Sequence, residues 1–167
     1  GYPYTKDNGA SLGAPLIDHL VGTYENPPRS TVAQAYDFII ETLEEAVTLM
    51  SEEKNNGRMN KYAARALLAR IYLYHDDNRK AFDLADQLIK DADTSGSYAL
   101  YPHEKYVAAW SVEAKFGSES FFEIANSVDD TPGRDSWGYL LNWYGYQKGF
   151  VTQKYAEQML ADPGDVR

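Results

Sequence analysis

The sequence predicts an all-α fold with a TPR-like helical repeat core (an α–α superhelix) and long irregular loops. Ala69, Tyr72 and Ala81 lie at the spacing of a tetratricopeptide-type helix hairpin, A-x2-Y-x8-A. Apolar residues also recur at steps of three and four through much of the first half of the chain. A hairpin of this kind cannot bury its apolar face alone, so the segment 61–89 indicates a stacked scaffold.

Size and composition are those of one globular domain, residues 1–167. Hydrophobic residues make up 44% and charged residues 25% of the chain, which is typical of a folded protein. The formal net charge of −9 argues against nucleic acid as a partner, because phosphate binding is driven by basic residues. With no cysteine, disulfides and cysteine-ligated zinc are excluded.

Membrane and targeting signals were also sought. The sequence has no apolar run of about 18 residues, the length that a membrane-spanning helix needs. It begins Gly1-Tyr2 without a methionine or a signal peptide. We therefore expect a mature fragment or an expressed segment of a protein.

The first elements are an extended arm and a sharply starting helix. Residues 1–29 are rich in Gly, Pro and Asn and predict an arm without regular structure. Thr31 precedes Gln34 by three positions, the pattern of a capping box. An apolar stripe then runs to about Met50, and it predicts an amphipathic helix.

Two more helices follow a polar loop at 51–57. Asn60 is a suitable N-cap for a helix that runs to about Tyr74, mostly apolar or small on its surface and therefore expected between two neighbours. Residues 76–78 turn the chain into a third helix, which is expected to end at 91–97 around Gly96. The residues expected to point inward from this helix are Ala81, Leu84, Ala85, Leu88 and Ile89.

Helical hairpins are expected over residues 31–124, although the pattern weakens after residue 97. A helical piece at 106–110 and a short buried element at 121–124 are predicted. Residues 125–136 resemble a loop, and the region 125–150 is an aromatic loop region containing Gly138 and Gly145. A short amphipathic helix at 152–160 closes the pattern before Pro163.

Five segments in order resemble the SusD/RagB family of outer-membrane nutrient-binding lipoproteins. They are LGAPL at 12–16, RSTV at 29–32 leading to Tyr36-Asp37, KYAARALLARIYLY at 61–74, ESFFEI at 119–124 and DPGDVR at 162–167. No single segment is specific, because a Leu/Ala-rich helix is common. Together they cover nearly the whole chain, and the order of the five carries the resemblance.

The resemblance implies a tetratricopeptide-like core, no enzymatic activity, no cofactor, and capture of glycans for nutrient uptake in a polysaccharide utilisation system. It also implies an oligosaccharide ligand and a SusC-like TonB-dependent transporter in the outer membrane as partner. Family members are longer and face outward from the cell. They are held by a lipid on an N-terminal cysteine that this sequence does not include.

The aromatic segment, residues 137–150, is the candidate ligand site, together with Arg134 and Asp135 just before it. Tyr is the commonest aromatic residue of the chain, with 14 copies, and six aromatic residues lie between 137 and 150. Aromatic planes cover the apolar face of a sugar ring, while Asn, Asp and Arg pair with its hydroxyl groups. In the family, the stretch after the ESFFEI element commonly supplies such aromatics. The candidate glycan-binding residues are Arg134, Asp135, Trp137, Tyr139, Asn142, Trp143, Tyr144 and Tyr146. Leu140, Leu141 and Phe150 are expected in the core.

Catalytic and metal chemistry find little support. Asp91-x-Asp93-x-Ser95-Gly96 imitates half a calcium loop, but the twelfth position is Pro102, so no metal site is expected. The three histidines are isolated in sequence and are expected in loops or on the surface. A glycosidase would need two carboxylates across a bond, and no such pair is evident. A protein- or peptide-binding scaffold, as in RagB-like peptide uptake, is the alternative to glycan binding.

Overall fold

A computed structural model describes residues 3–110, 115–124 and 133–165 of the chain. Its α-helices are α1 (Val32–Leu49), α2 (Lys61–Tyr74), α3 (Asn78–Ser95), α4 (Trp137–Leu141) and α5 (Gln153–Leu160). Short 3-10 turns lie at Tyr4–Lys6, His103–Lys105, Ala108–Trp110 and Gly133–Asp135. Within the described ranges no strand is present, and Leu12 and Thr31 form an isolated β-bridge. The predicted all-α class is confirmed, whereas the TPR-like stacking remains a prediction.

Helix α1 begins where the sequence predicts, because its first amide groups are all satisfied. The Thr31 side chain accepts a hydrogen bond from the Gln34 amide at 3.1 Å, and the Gln34 side chain accepts one from the Thr31 amide at 2.9 Å. This reciprocal capping box was predicted and is confirmed. The amide groups of Val32 and Ala33 donate to carbonyl groups of the arm, at Ser11 and Gly9. The arm thus completes the start of the helix.

The rest of the arm, residues 3–29, is largely irregular and is held by hydrogen bonds near the start of α1. The Arg29 guanidinium donates to the carbonyl groups of Leu12 and Gly13, both at 2.7 Å. The amide of Gly13 donates to the carbonyl of Ser30, also at 2.7 Å. These bonds hold residues 12–14 against the residues that precede α1.

Helix α2 lies between α1 and α3, as expected from its small and apolar surface. Asn60 caps it, since its side-chain oxygen accepts a hydrogen bond from the Ala63 amide at 3.0 Å. The amide nitrogen of the same side chain donates to the hydroxyl of Tyr98 at 2.7 Å and to the carbonyl of Glu53. Asn60 is buried, and these bonds satisfy its polar atoms.

Two groups of buried residues hold α1, α2 and α3 together. One contains Leu43, Leu68, Tyr72 and Ala81, and the other contains Tyr62, Leu88, Ala92 and Tyr98. Phe121 packs against the second group and stacks near Tyr62, with ring centroids 6.2 Å apart. Thus the ESFFEI element reaches the helical core through one aromatic side chain.

An ion pair also joins α2 to α3. The guanidinium of Arg65, which is nearly buried, donates to the carboxylate of Asp91 at 2.7 Å. Gln87 donates to the other oxygen of the same carboxylate at 2.8 Å. The hydrogen bonds from Arg65 and Gln87 hold the pKa of Asp91 below its ordinary value. Because both oxygens are engaged, Asp91 serves the helix pair and not the calcium loop that its sequence imitates.

Several predicted core positions were wrong. Ile89 is 66% exposed, because Leu88 and Ala92 lie on the buried face of α3 and Ile89 is rotated by about 100° from Leu88. Phe122 and Ile124 are exposed, so the element at 121–124 is irregular, and only Phe121 and Glu123 are partly buried. In the aromatic segment, Leu141 and Phe150 are exposed and only Leu140 is half-buried.

Other predictions concern boundaries. The end of α3 lies at Ser95, and Gly96 follows it in the left-handed conformation with φ of 68°. The helical piece predicted at 106–110 is a 3-10 turn, Ala108–Trp110. Helix α5 is confirmed, with Thr152 as its cap. The predicted loop at 125–136 falls partly, and Gly1, Tyr2, Val166 and Arg167 fall wholly, outside the described residues.

Candidate functional site

The aromatic segment is a short helix over which the chain folds back. Ser136 begins α4, because its hydroxyl accepts a hydrogen bond from the Tyr139 amide at 3.1 Å. After α4 the chain reverses: the Tyr146 amide donates to the Tyr139 carbonyl at 3.1 Å, and the Lys148 amide donates to the Leu140 carbonyl at 2.9 Å. The predicted irregular loop is therefore partly helical and is closed by its own backbone.

Glycine is required at one point of this reversal. A Cβ atom at Gly145 would lie 1.7 Å from the carbonyl oxygen of Tyr139. The close approach lets the Tyr139 and Tyr146 rings meet edge to face, with centroids 5.3 Å apart and planes at 82°. Tyr139 is half-buried, so this pair supports the turn from within.

Trp143 and Tyr144 are the most accessible neighbouring pair of the predicted site. They are 66% and 76% exposed, with ring centroids 4.2 Å apart and planes tilted by 43°. The Tyr144 amide donates to the side-chain oxygen of Asn142 at 2.9 Å, and the Gln147 side chain donates to the Trp143 carbonyl at 2.7 Å. These bonds fix the backbone beneath both rings, so the rings are positioned while their surfaces stay exposed.

The remaining predicted residues lie before this pair. Arg134 and Asp135 are exposed in the 3-10 turn that leads to α4, and Trp137 is exposed at the first position of α4. The structure thus places all eight predicted residues on one stretch of turn, helix and turn. The side-chain oxygen of Asn142, expected to pair with sugar hydroxyls, is engaged within the turn.

Sequence reasoning missed a cleft of about 560 Å³ between residues 101–110 and 119–124. Its lining includes the aromatic residues Tyr101, Tyr106 and Trp110 and the carboxylates of Glu119 and Glu123. The signal was present as three aromatics within ten positions, but their pairing with the ESFFEI element depends on the fold.

The histidines are less isolated than their sequence positions indicated. The two ring nitrogens of His19 lie 2.8 Å from Asp18 and 2.7 Å from Glu25, and these hydrogen bonds raise the pKa of His19. His75 packs against the rings of Tyr4 and Tyr36. In the ranges that the structure describes, no group of three His, Asp or Glu side chains is placed to hold a metal ion.

None of the helices in the described part of the chain has the length and the apolar character needed to cross a bilayer.

Comparison with known proteins gives the family context of this geometry. Residues 3–73 match a SusD-like family model described as starch-binding and associating with the outer membrane. A search of curated proteins found no match.

Solved structures match over nearly the whole chain. A SusD superfamily protein from Bacteroides vulgatus is 99% identical over 99% of this chain, with a TM-score of 0.94. A candidate sugar-binding protein from the same organism is 40% identical over 98% of this chain, with a TM-score of 0.89. A SusD superfamily protein from Bacteroides thetaiotaomicron is 32% identical over 98% of it, with a TM-score of 0.82. The chain spans 37%, 37% and 36% of the lengths of these three proteins.

Proposed function

We propose that this chain, which belongs to the SusD-like family, forms part of a protein that binds oligosaccharides at the outer membrane. The similarity to SusD superfamily proteins and to a candidate sugar-binding protein supports a carbohydrate ligand. Because the chain spans little more than a third of those proteins, the residues that bind the ligand are proposed from its own geometry.

The observation that carries the proposal is the exposed pair Trp143 and Tyr144. Large aromatic side chains usually bury their surface, and two neighbouring ones held open by backbone hydrogen bonds favour a binding role. Their tilted planes can cover the apolar face of one pyranose ring and the edge of the next. Binding of this kind is tolerant of sugar identity, because every pyranose has an apolar face.

Polar side chains that are close to the rings in sequence can supply the hydrogen bonds that a sugar needs. Arg134 offers several N–H donors and Asp135 two acceptor oxygens, and both side chains are exposed. We propose that they pair with hydroxyl groups of a sugar stacked on Trp137 or Trp143. Tyr139 and Tyr146 would support this surface from below through their edge-to-face contact.

The protein is proposed to bind without catalysis. Between residues 133 and 150 the sequence has a single acidic residue, Asp135, whereas glycoside hydrolysis usually uses two carboxyl groups about 5–9.5 Å apart. We further propose that the bound glycan passes to a SusC-like TonB-dependent transporter. The full-length protein would face outward and be held to the outer membrane by a lipid anchor.

Isothermal titration of the full-length protein with maltoheptaose, cellohexaose and xylohexaose tests this function. We expect binding of at least one glycan, and we expect Trp143→Ala to weaken it roughly tenfold, since a stacking contact is worth about 1 kcal/mol or more. Tyr24→Ala is the control, because Tyr24 is an exposed aromatic residue of the arm, outside the proposed site. Circular dichroism confirms that both variants fold.

Three outcomes would count against the proposal. If neither Trp143→Ala nor Tyr144→Ala changes the affinity, the aromatic segment is not the site. If no glycan binds and peptides do, the protein is a peptide-binding scaffold. Turnover of a chromogenic glycoside that vanishes in Asp135→Asn would show an enzyme.

A further inference from the structure

The cleft between residues 101–110 and 119–124 has the size and lining of a ligand site. Its volume of about 560 Å³ falls within the range of about 300–1,000 Å³ typical of small-molecule pockets. It is separate in sequence from the aromatic segment, and none of the eight residues proposed there lines it. The cleft therefore needs its own explanation.

The aromatic side chains that line the cleft are held in position by their neighbours. Trp110 is 77% exposed, yet its ring is held edge to face against Tyr106, with centroids 6.1 Å apart and planes at 67°. Tyr101 is half-buried, and its hydroxyl accepts a hydrogen bond from the Ser118 amide at 3.2 Å. A Cβ atom at Gly117 would lie 1.8 Å from that hydroxyl oxygen, so the glycine makes room for the ring.

The cleft is also lined by two carboxylates that the backbone holds in place. Glu123 accepts hydrogen bonds from the amides of Phe116 and Gly117, at 2.8 Å and 3.0 Å. Burial alone would raise the pKa of Glu123, but these bonds and the nearby charge of Lys54 outweigh it and lower the pKa. Glu123 is therefore ionised at neutral pH and acts as a fixed part of the wall.

Glu119 differs from Glu123 because it is exposed. One of its oxygens accepts a hydrogen bond from the Tyr101 amide, which holds the carboxylate beside the aromatic residues of the cleft. An ionised carboxylate only accepts hydrogen bonds, and it has capacity for several. It can therefore accept from hydroxyl groups of a molecule lying on Trp110.

The lining selects the chemical class of the ligand. Among the described residues that line the cleft, none is basic, so two carboxylates would repel an anion. A flat apolar face is needed against Trp110 and Tyr106, and hydroxyl donors are needed against Glu119 and Ser120. A neutral pyranose meets all three requirements.

We propose that this cleft is a second carbohydrate-binding subsite, in which Trp110 stacks on a neutral pyranose unit and Glu119 accepts hydrogen bonds from its hydroxyl groups. The proposal rests on the glycan-binding function proposed above. It adds a binding position that is independent of the aromatic segment.

The test uses the full-length protein labelled with 5-fluorotryptophan and titrated with maltoheptaose, cellohexaose and xylohexaose, followed by fluorine NMR. The Trp110 signal is assigned by its loss in Trp110→Phe. We expect this signal to shift saturably even in a Trp143→Ala background.

Calorimetry in the Trp143→Ala background tests the same subsite by affinity. Trp110→Ala should weaken the remaining binding about five- to tenfold. Glu119→Gln should weaken it less, because the amide still accepts hydrogen bonds.

Each result decides the proposal. The subsite would be overturned if the Trp110 signal does not respond in the Trp143→Ala background. It would also be overturned if the Trp110→Ala and Trp110→Phe variants bind as the parent does. Either result would leave the proposed function standing. Loss of binding in Trp110→Ala but not in Trp143→Ala would support the cleft and overturn the aromatic segment as a site. If no probe binds the unaltered protein, the function and the subsite both fail.

Discussion

At the scale of single residues, Tyr72 shows how one polar atom is accommodated in the core. Its ring is buried among α1, α2 and α3, and its hydroxyl donates to the Glu44 carboxylate at 2.6 Å. Lys80 lies over the same ring, 5.1 Å from its centroid. Burial first, and then the bond to Glu44, raise the pKa of Tyr72 from 10.0 to about 12.

The raised pKa predicts a loss of stability at alkaline pH. The unfolded chain releases the Tyr72 proton near pH 10, while the folded chain keeps it to about pH 12. The stabilisation is therefore fully present below pH 10 and is lost between pH 10 and about 12. Tyr72→Phe should lower the free energy of unfolding by about 1 kcal/mol at neutral pH, because one hydrogen bond is lost. The stability of this variant should then fall less steeply than that of the parent protein between pH 10 and about 12.

Chemical denaturation at a series of pH values measures this difference. Tyr24→Phe is the control, because the Tyr24 side chain is almost fully exposed and its hydroxyl is already in water. Parallel stability curves for the parent protein and Tyr72→Phe between pH 10 and 12 would show that folding does not raise the pKa of Tyr72.

At the scale of elements, the helices were predictable wherever the signals are local. Thr31 and Asn60 cap the helices that follow them, and Gly96 ends α3, as their positions in the sequence indicated. Such signals act within a few residues of the backbone, so no knowledge of the fold is needed. Conversely, the exposure of Ile89 depends on which neighbours pack against α3, which periodicity alone does not contain.

The joint between the arm and α1 depends on a glycine that sequence reasoning did not single out. Gly9 has φ of 75°, and a Cβ atom there would lie 2.7 Å from the backbone nitrogen of Ala33. The Gly9 carbonyl accepts a hydrogen bond from that same nitrogen at 2.9 Å. The arm can satisfy the first turn of α1 only if its backbone comes this close.

We therefore predict that Gly9→Ala destabilises the protein more than Gly96→Ala does. Both glycines have left-handed backbones, so each substitution carries a conformational cost of about 1–2 kcal/mol. At Gly96 nothing lies within 4 Å of the added atom, whereas at Gly9 the clash is with backbone that cannot rotate away. We expect an extra loss of about 1–3 kcal/mol for Gly9→Ala in thermal unfolding. Equal losses in the two variants would mean that the arm does not pack tightly on α1.

At the scale of the whole molecule, a feature could be predicted from the sequence when its residues are close in sequence, and not when they are brought together by the fold. The aromatic segment was found from composition, because six aromatics in one stretch form a local feature. The cleft at Trp110 was missed, because the contact between residues 101–110 and Glu119 joins positions that no local sequence pattern connects. The exposure of Phe150 likewise follows from what the fold leaves uncovered.

The net charge of −9 gives a way to distinguish the two proposed kinds of ligand. Binding of a neutral glycan forms no ion pair, so its affinity should change less than about twofold between 0.05 and 0.5 M NaCl. A basic peptide would be attracted by the acidic surface, and its affinity should fall about tenfold or more over the same range, because salt screens those charges. Titration calorimetry of the full-length protein with maltoheptaose and with an oligolysine peptide measures both slopes. Since stacking on Trp143 needs no charge, a glycan affinity that falls steeply with salt would contradict the stacking mechanism.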